Sequence, residues 1–121
     1  MANKYFNIRT TVGDRTFDSR GESERYVFLK ACEDRGEISN LRCQVTYPLA
    51  IVGINSVNCG SYRADFVYER LGQRVVEDFK GIVTDLYKLK KKLVFAIHNV
   101  RIIEIFKPND PLKSLAQLDC F

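Results

Sequence analysis

Asp65, Asp78 and Lys80 are the side chains whose types and spacing could do chemistry together. Asp78 and Lys80 stand two apart in Val76-Glu77-Asp78-Phe79-Lys80, and Asp65 lies in the preceding run, Tyr62-Arg63-Ala64-Asp65-Phe66-Val67-Tyr68. Both runs read as strands, in which side chains alternate faces. Val76, Asp78 and Lys80 then share one face, opposite Val75, Glu77 and Phe79. Arg63, Asp65 and Val67 likewise share a face, opposite Tyr62, Ala64, Phe66 and Tyr68. Glu69-Arg70-Leu71-Gly72 between the runs is a hairpin turn. A turn centred on Leu71-Gly72 sets Asp65 directly across from Asp78, and a slip of two residues keeps both on one face.

Opposed carboxylates repel each other, so this pairing calls for a cation or a basic neighbour. Lys80 and Arg63 are on that face. Mg2+ (or Mn2+) takes oxygen ligands, typically one or two carboxylates with waters and phosphate oxygens. Such an ion acidifies water and steadies charge at phosphorus. An adjacent lysine orients the attacking water or stabilises developing negative charge. The pattern is thus one for phosphodiester hydrolysis. Taken alone, Asp-Phe-Lys describes the wet face of a half-exposed strand equally well; the strand-turn-strand setting and the opposed Asp65 carry the functional reading.

Other residues are candidates with plainer alternatives. Glu22 falls on the core-facing stripe of a helix, which suits an acid aimed at something. It is also the third helical position of Ser19-Arg20-Gly21-Glu22, a capping box, and local logic favours the cap. Gln44 sits in an apolar strand and either contacts substrate or is a satisfied glutamine. Lys88, Lys91 and Lys92 form a basic face at helical spacing, with Lys90 and Arg101 extending it. That face holds phosphates or is simply solvated. Thr84 and Tyr87, just past Lys80-Gly81, are placed to line the same cleft. His98, the only histidine, suits a capping or surface role at a helix end.

The elements that must position these groups follow from periodicity. Arg15-Thr16-Phe17 suggests a short strand after a polar, basic arm over residues 1–13. A helix runs from about Arg20 to Arg35, with Tyr26, Leu29 and Cys32 or Glu33 on one stripe and Gly36 as its stop. Leu41 to Val52 is a strand, bent at Pro48, and Gly53 to Gly60 a loop. Strands follow at Tyr62–Tyr68 and Gln73–Phe79. Thr84 opens a second helix, Asp85 to Ile97, whose apolar stripe is Leu86, Leu89, Leu93 and Ile97. Val100 to Phe106 is the last strand, and Asp110-Pro111 marks a short helix in the tail over 107–121. The order predicts an antiparallel meander, a helical crossover and a parallel last strand: a mixed α/β sheet with flanking helices.

At 121 residues, one domain over 1–121 is expected, with a net charge of +4 that permits a phosphate-rich partner without requiring one. Four scattered cysteines with no CxxC pair and a single histidine argue against a structural zinc site. Together with a start lacking an apolar signal core and the absence of any ~18-residue apolar run, this predicts a cytoplasmic protein with no membrane span.

The motifs then match a known pattern. Phe17-Asp18-Ser19-Arg20-Gly21-Glu22-Ser23-Glu24-Arg25-Tyr26, Gly36-Glu37-Ile38-Ser39-Asn40-Leu41, Gln44, the Asp65 and Asp78-Phe79-Lys80-Gly81 runs and Tyr87-Lys88-Leu89-Lys90-Lys91-Lys92-Leu93 occur in order over roughly residues 4 to 106. They resemble a phage-encoded family of small PD-(D/E)XK nucleases, related to endonuclease I-type Holliday junction resolvases and to transposon end-cutting nucleases. The resemblance implies a restriction-endonuclease-like αβββαβ core. It assigns Glu22 to the site through Ser19-x-x-Glu22, makes Glu22, Asp65 and Asp78 the metal-holding acids and Lys80 the catalytic lysine, and places Gln44 near them. It further implies a Mg2+-dependent endodeoxyribonuclease in phage DNA recombination, working on branched DNA as a homodimer in the bacterial host. A nuclease on ordinary duplex, and a non-catalytic DNA-binding or regulatory protein that keeps the fold, are the alternatives. Two departures are Ala64 in place of the family's proline and a long Ile51–Ser61 segment.

Overall fold

A tight glycine turn between two apolar runs builds the centre of the molecule. The computed structural model describes residues 10–13 and 15–113. Strands β1 (Thr10–Val12) and β2 (Arg15–Phe17) pair antiparallel, Thr10 opposite Phe17. The expected polar arm therefore ends in a strand; residues 1–9 of that arm lie outside the described residues.

Helix α1 (Arg20–Asp34) opens on Ser19, whose Oγ accepts from the Glu22 amide at 3.1 Å. It closes where Gly36, at φ +79°, lets the Glu37 amide reach back to the Cys32 carbonyl at 2.9 Å. Strands β3 (Ser39–Ile51), β4 (Val57–Arg70) and β5 (Gln73–Phe79) form the antiparallel meander. Helix α2 (Asp85–His98) crosses back to β6 (Ile102–Ile105), which pairs parallel with β5. The sheet order β3-β4-β5-β6 with its two helices is the restriction-endonuclease-like α/β architecture expected from the sequence.

Register follows from the turn. Arg70 pairs with Gln73, leaving Leu71 and Gly72 as a two-residue loop at φ +52° and +75°. Positive φ at both positions is the hairpin geometry that matches strand twist. The ladder then runs through Val67↔Val76 and Phe66↔Glu77, and the next step sets Asp65 opposite Asp78.

Two details depart from expectation. The 53–60 loop is shorter, because Val57 and Asn58 pair with Ile51 and Ala50 and lengthen the β3–β4 hairpin. Pro48 lies within edge strand β3 as expected, and the β3–β4 register shifts between Pro48 and Ala50. Past β6, residues 107–113 make a turn and no helix: Asp110 Oδ2 accepts from the Phe106 and Lys107 amides. The rest of the expected tail helix lies outside the described residues.

Each sheet face buries its own core. Phe17, Leu29, Cys32, Phe66, Tyr68 and Ile103 pack on the α1 side, and Leu49, Tyr62, Val67, Val76, Val94 and Ile102 on the α2 side. Leu93 and Ile97 of the expected α2 stripe pack against the core, but its first two members do not. Leu86 and Leu89 are 61% and 54% exposed, while Tyr87 and Val94 are buried. Tyr87 instead lies on the sheet side of the helix with Val94. Among the described residues, no helix is long and apolar enough to cross a membrane, and Cys32, Cys43 and Cys59 are free thiols.

Candidate active site

The ends of α1, β4 and β5 converge on a cleft of about 490 Å3 lined by Glu22, Asp65, Asp78, Lys80 and Arg63, with Asp18 and Arg20 at its rim. Strand alternation delivers Asp78, and the hairpin register delivers Asp65 to it. Asp78 and Glu22 both crowd Asp65, and each carboxyl raises the cost of ionising it.

Each acid is held by a second contact. The Phe79 amide donates to Asp65 Oδ2 at 2.8 Å. Asp78 Oδ2 accepts from the Tyr62 hydroxyl at 2.7 Å and lies 2.8 Å from Lys80 Nζ. Lys80 is itself seated over the Tyr87 ring, 3.6 Å from its centroid, a favourable place for an ammonium.

Glu22 resolves the conflict between cap and site. Its backbone amide is capped by Ser19, but its side chain turns into the cleft, where Oε1 is buried without a hydrogen-bond partner. Gly21 allows this approach. A Cβ there would lie 2.5 Å from the Phe79 ring, so any side chain at that position requires the ring or α1 to shift.

Electrostatics record the crowding. Burial, then the hydrogen bond and charge of Asp78, pushes the Asp65 carboxyl up to about 10. Burial and the charge of Asp18 raise Glu22 to about 7. The Tyr62 phenol is pushed upward by burial and by the Asp78 charge. A buried carboxyl with this shift keeps its proton at neutral pH unless a cation replaces it.

A divalent cation fits this donor set. Among the described residues no group of three or more His, Cys, Asp or Glu side chains is placed to hold a metal ion. A hard, oxygen-ligated ion needs only one or two carboxylates and keeps its waters. The orphaned Glu22 Oε1 and the crowding of Asp65 by Asp78 and Glu22 are the features such an ion would relieve.

The remaining candidates divide. Arg63 lines the cleft and pairs with Asp18 at 2.9 Å. Lys88 and Lys92 are exposed on α2. Tyr87 is a correction: it is buried beneath Lys80 in the core, not at a surface where substrate could meet it. Lys91 turns inward to Glu104 at 3.3 Å, which removes it from the expected basic face. Thr84 caps α2, accepting from the Tyr87 amide at 3.1 Å, and does not line the cleft. Gln44 is half-exposed on the edge strand, at φ +55° opposite position 65, and also lies outside the cleft lining. His98 bonds the Pro48 carbonyl at 2.6 Å, tying α2 to β3.

Sequence reasoning missed Tyr62, which alternation puts on the face away from Asp65. Tyr62 and Ala64 instead pack with Val67 and Val76, while Phe66 and Tyr68 face α1. The switch occurs beside Gln44, whose neighbours Cys43 and Val45 pair with Phe66 and Ala64. A left-handed residue inside a strand marks the break in alternation, and no residue type there announced it. A second omission is the network behind the site. Buried Arg25 grips buried Glu77 through Nε at 2.8 Å and Nη2 at 2.7 Å, with Tyr68 donating to the same carboxylate. Arg25 Nη1 also donates to the carbonyls of Pro108 and Asp110, so one side chain joins α1, β5 and the segment after β6.

Comparison with known proteins finds one family. No curated protein and no solved structure matches the chain. The family described as protein of unknown function (DUF1064) matches residues 2–108, which include every residue of the cleft, and the chain belongs to that family.

Proposed function

We propose that this chain is a metal-dependent phosphodiester hydrolase that cuts DNA, with Glu22, Asp65, Asp78 and Lys80 as its working groups. The observation that carries the reading is the meeting of three carboxyl groups and one ammonium in a single cleft, with a buried Glu22 oxygen left unpartnered. Crowding acids in this way costs stability, which a bound cation facing an anionic substrate would offset.

Asp65, Asp78 and Glu22 would hold Mg2+ or Mn2+, which when bound supplies Lewis acidity and neutralises phosphate charge. Tyr62 and the Phe79 amide fix the orientations of Asp78 and Asp65, which spares reorganisation during the reaction. Lys80 Nζ, set between Asp78 and the Tyr87 face, is placed to orient the attacking water and to stabilise charge on the phosphoryl oxygens. Water oxygen bonds to phosphorus, the phosphorus–oxygen bond to the leaving sugar breaks, and a phosphomonoester and a hydroxyl result.

Following the resemblance, the substrate is branched DNA and the working unit a homodimer. The test is incubation of the purified chain with four-way junction, flap, single-stranded and linear duplex DNA, with Mg2+ and then with chelator. Metal-dependent cutting that Asp78→Ala abolishes while sparing DNA binding is expected. Binding without cutting under Mg2+ and Mn2+ would favour the non-catalytic reading. Equilibrium sedimentation reads the dimer.

A further inference from the structure

A second, larger cleft of about 820 Å3 lies at the opposite end of α2, around the Leu71-Gly72 turn. Arg70, Arg74 and Arg101 line it, with Glu69 as its lone carboxylate. Among the described residues, none of these arginines forms an ion pair; Arg101 stacks over Phe95, its guanidinium 5.5 Å from the ring centroid. Arg42 pairs with Val67, and Val67 with Val76, so Arg42 stands in the row that reaches the cleft wall at Val76. Its Nε and Nη2 are buried with no hydrogen-bond partner. Arg42 does not itself line the cleft; the three lining arginines outnumber its one carboxylate, and such a concavity attracts an anion that accepts several hydrogen bonds.

The two clefts are connected by α2. The helix starts just past Lys80 and ends at His98, which lines the second cleft. Its 14 residues span about 21 Å. Lys88, Lys92, Ala96 and Asn99 are all exposed and recur at helical spacing, so lysines mark the solvent side of the path. Both ends of this path are cationic or acid-and-lysine, and the separation is several phosphates long.

We infer that the Arg70/Arg74/Arg101 cleft binds the phosphodiester backbone of nucleic acid several nucleotides from the scissile phosphate, with Lys88 and Lys92 along the way. This rests on the proposed hydrolase reading for the position of the scissile phosphate, but not for the binding itself.

The experiment is fluorescence anisotropy with labelled duplex DNA in EDTA across a salt series. The wild type is compared with Arg70→Gln/Arg74→Gln/Arg101→Gln and with Lys30→Gln/Arg35→Gln/Lys107→Gln, which loses the same charge elsewhere. The first variant is expected to bind at least about tenfold more weakly, with a salt slope shallower by about 2 to 3, since each phosphate contact contributes roughly 0.9. The second is expected to retain the wild-type slope. Arg74→Glu alone, at an exposed position, gives the same direction if the triple variant fails to fold. Unchanged affinity and slope in the arginine variants, or no DNA binding by the wild type, overturns the inference. Inorganic tripolyphosphate that binds more tightly than duplex DNA and depends on these arginines would also overturn it. Hydrolysis of bis(p-nitrophenyl) phosphate with Mn2+ reports the acidic cleft alone. It is expected to survive the triple substitution, and its absence in the wild type counts against the hydrolase and not the arginine cleft.

Discussion

Asp65 stands opposite Asp78 one register step beyond the Phe66–Glu77 pair, and burial beside that second carboxyl keeps a proton on Asp65. That proton has a thermodynamic consequence. Asp65 ionises near 3.8 when unperturbed and is pushed up to about 10 in the fold. Between those values the folded chain holds a proton that the unfolded chain has lost, so stability falls as pH rises. Glu22, raised from 4.5 to about 7, adds to the fall over the lower part of the window. Urea unfolding in EDTA should therefore show a loss of a few kcal/mol between about pH 5 and pH 9. Asp65→Asn should flatten the profile. A metal-free protein that gains stability over this window contradicts the assignment.

Lys80 is fixed between the Asp78 carboxylate and the Tyr87 ring. Lys80→Met keeps the aliphatic packing and removes the charge. Single-turnover cutting should drop about 10²- to 10³-fold, the usual loss for one group that stabilises the transition state. DNA affinity should change by less than about threefold, because one phosphate contact is a small share of the total. Rates within a factor of two of wild type would remove Lys80 from the mechanism.

The Arg25–Glu77 pair is buried on both sides, with side-chain exposures of 0% and 1%. Removing one partner strands a charge in the core. Glu77→Gln and Arg25→Met should each lower stability by about 3–5 kcal/mol. The double variant Arg25→Met/Glu77→Leu should recover a large part of the loss, as read by denaturant midpoints. Additive losses in the double variant would show that the two do not act as a pair.

Gly21 meets the Phe79 ring where a Cβ would lie 2.5 Å from it. Gly21→Ala should force α1 or the ring aside and displace Glu22 from the acids. Overpacking of this size costs about 1–3 kcal/mol, and cutting should fall more than stability does. Phe79→Leu in the same chain should restore both in part. A fully active Gly21→Ala protein would mean that the close approach does not position Glu22.

Strand alternation and one glycine turn were enough to bring Asp65, Asp78 and Lys80 to one place, because period-two faces and a two-residue hairpin leave little freedom in register. The rest required tertiary knowledge. Tyr62 reaches Asp78 only because the β3–β4 ribbon switches faces beside Gln44, and a glutamine at positive φ has no sequence signature. The stripe on α2 misled because Leu86 and Leu89 are more apolar than Tyr87, yet Tyr87 buries more surface and supports Lys80. Lys91 looked like part of a solvated row until Glu104, on a distant strand, claimed it. Arg25 gave no sign of being core because its partner Glu77 lies on another element.

A cation held by these acids is tested most directly by calorimetric titration of Mn2+ into the wild type and Asp65→Asn at pH 7, in two buffers of different ionisation enthalpy. Binding to the wild type should release between about one and two protons, because Asp65 and part of the Glu22 population must ionise to hold the cation. Asp65→Asn should bind at least about tenfold more weakly, with fewer protons released. Saturable binding that is identical in both proteins, or no binding at all, would contradict a cation held by these acids.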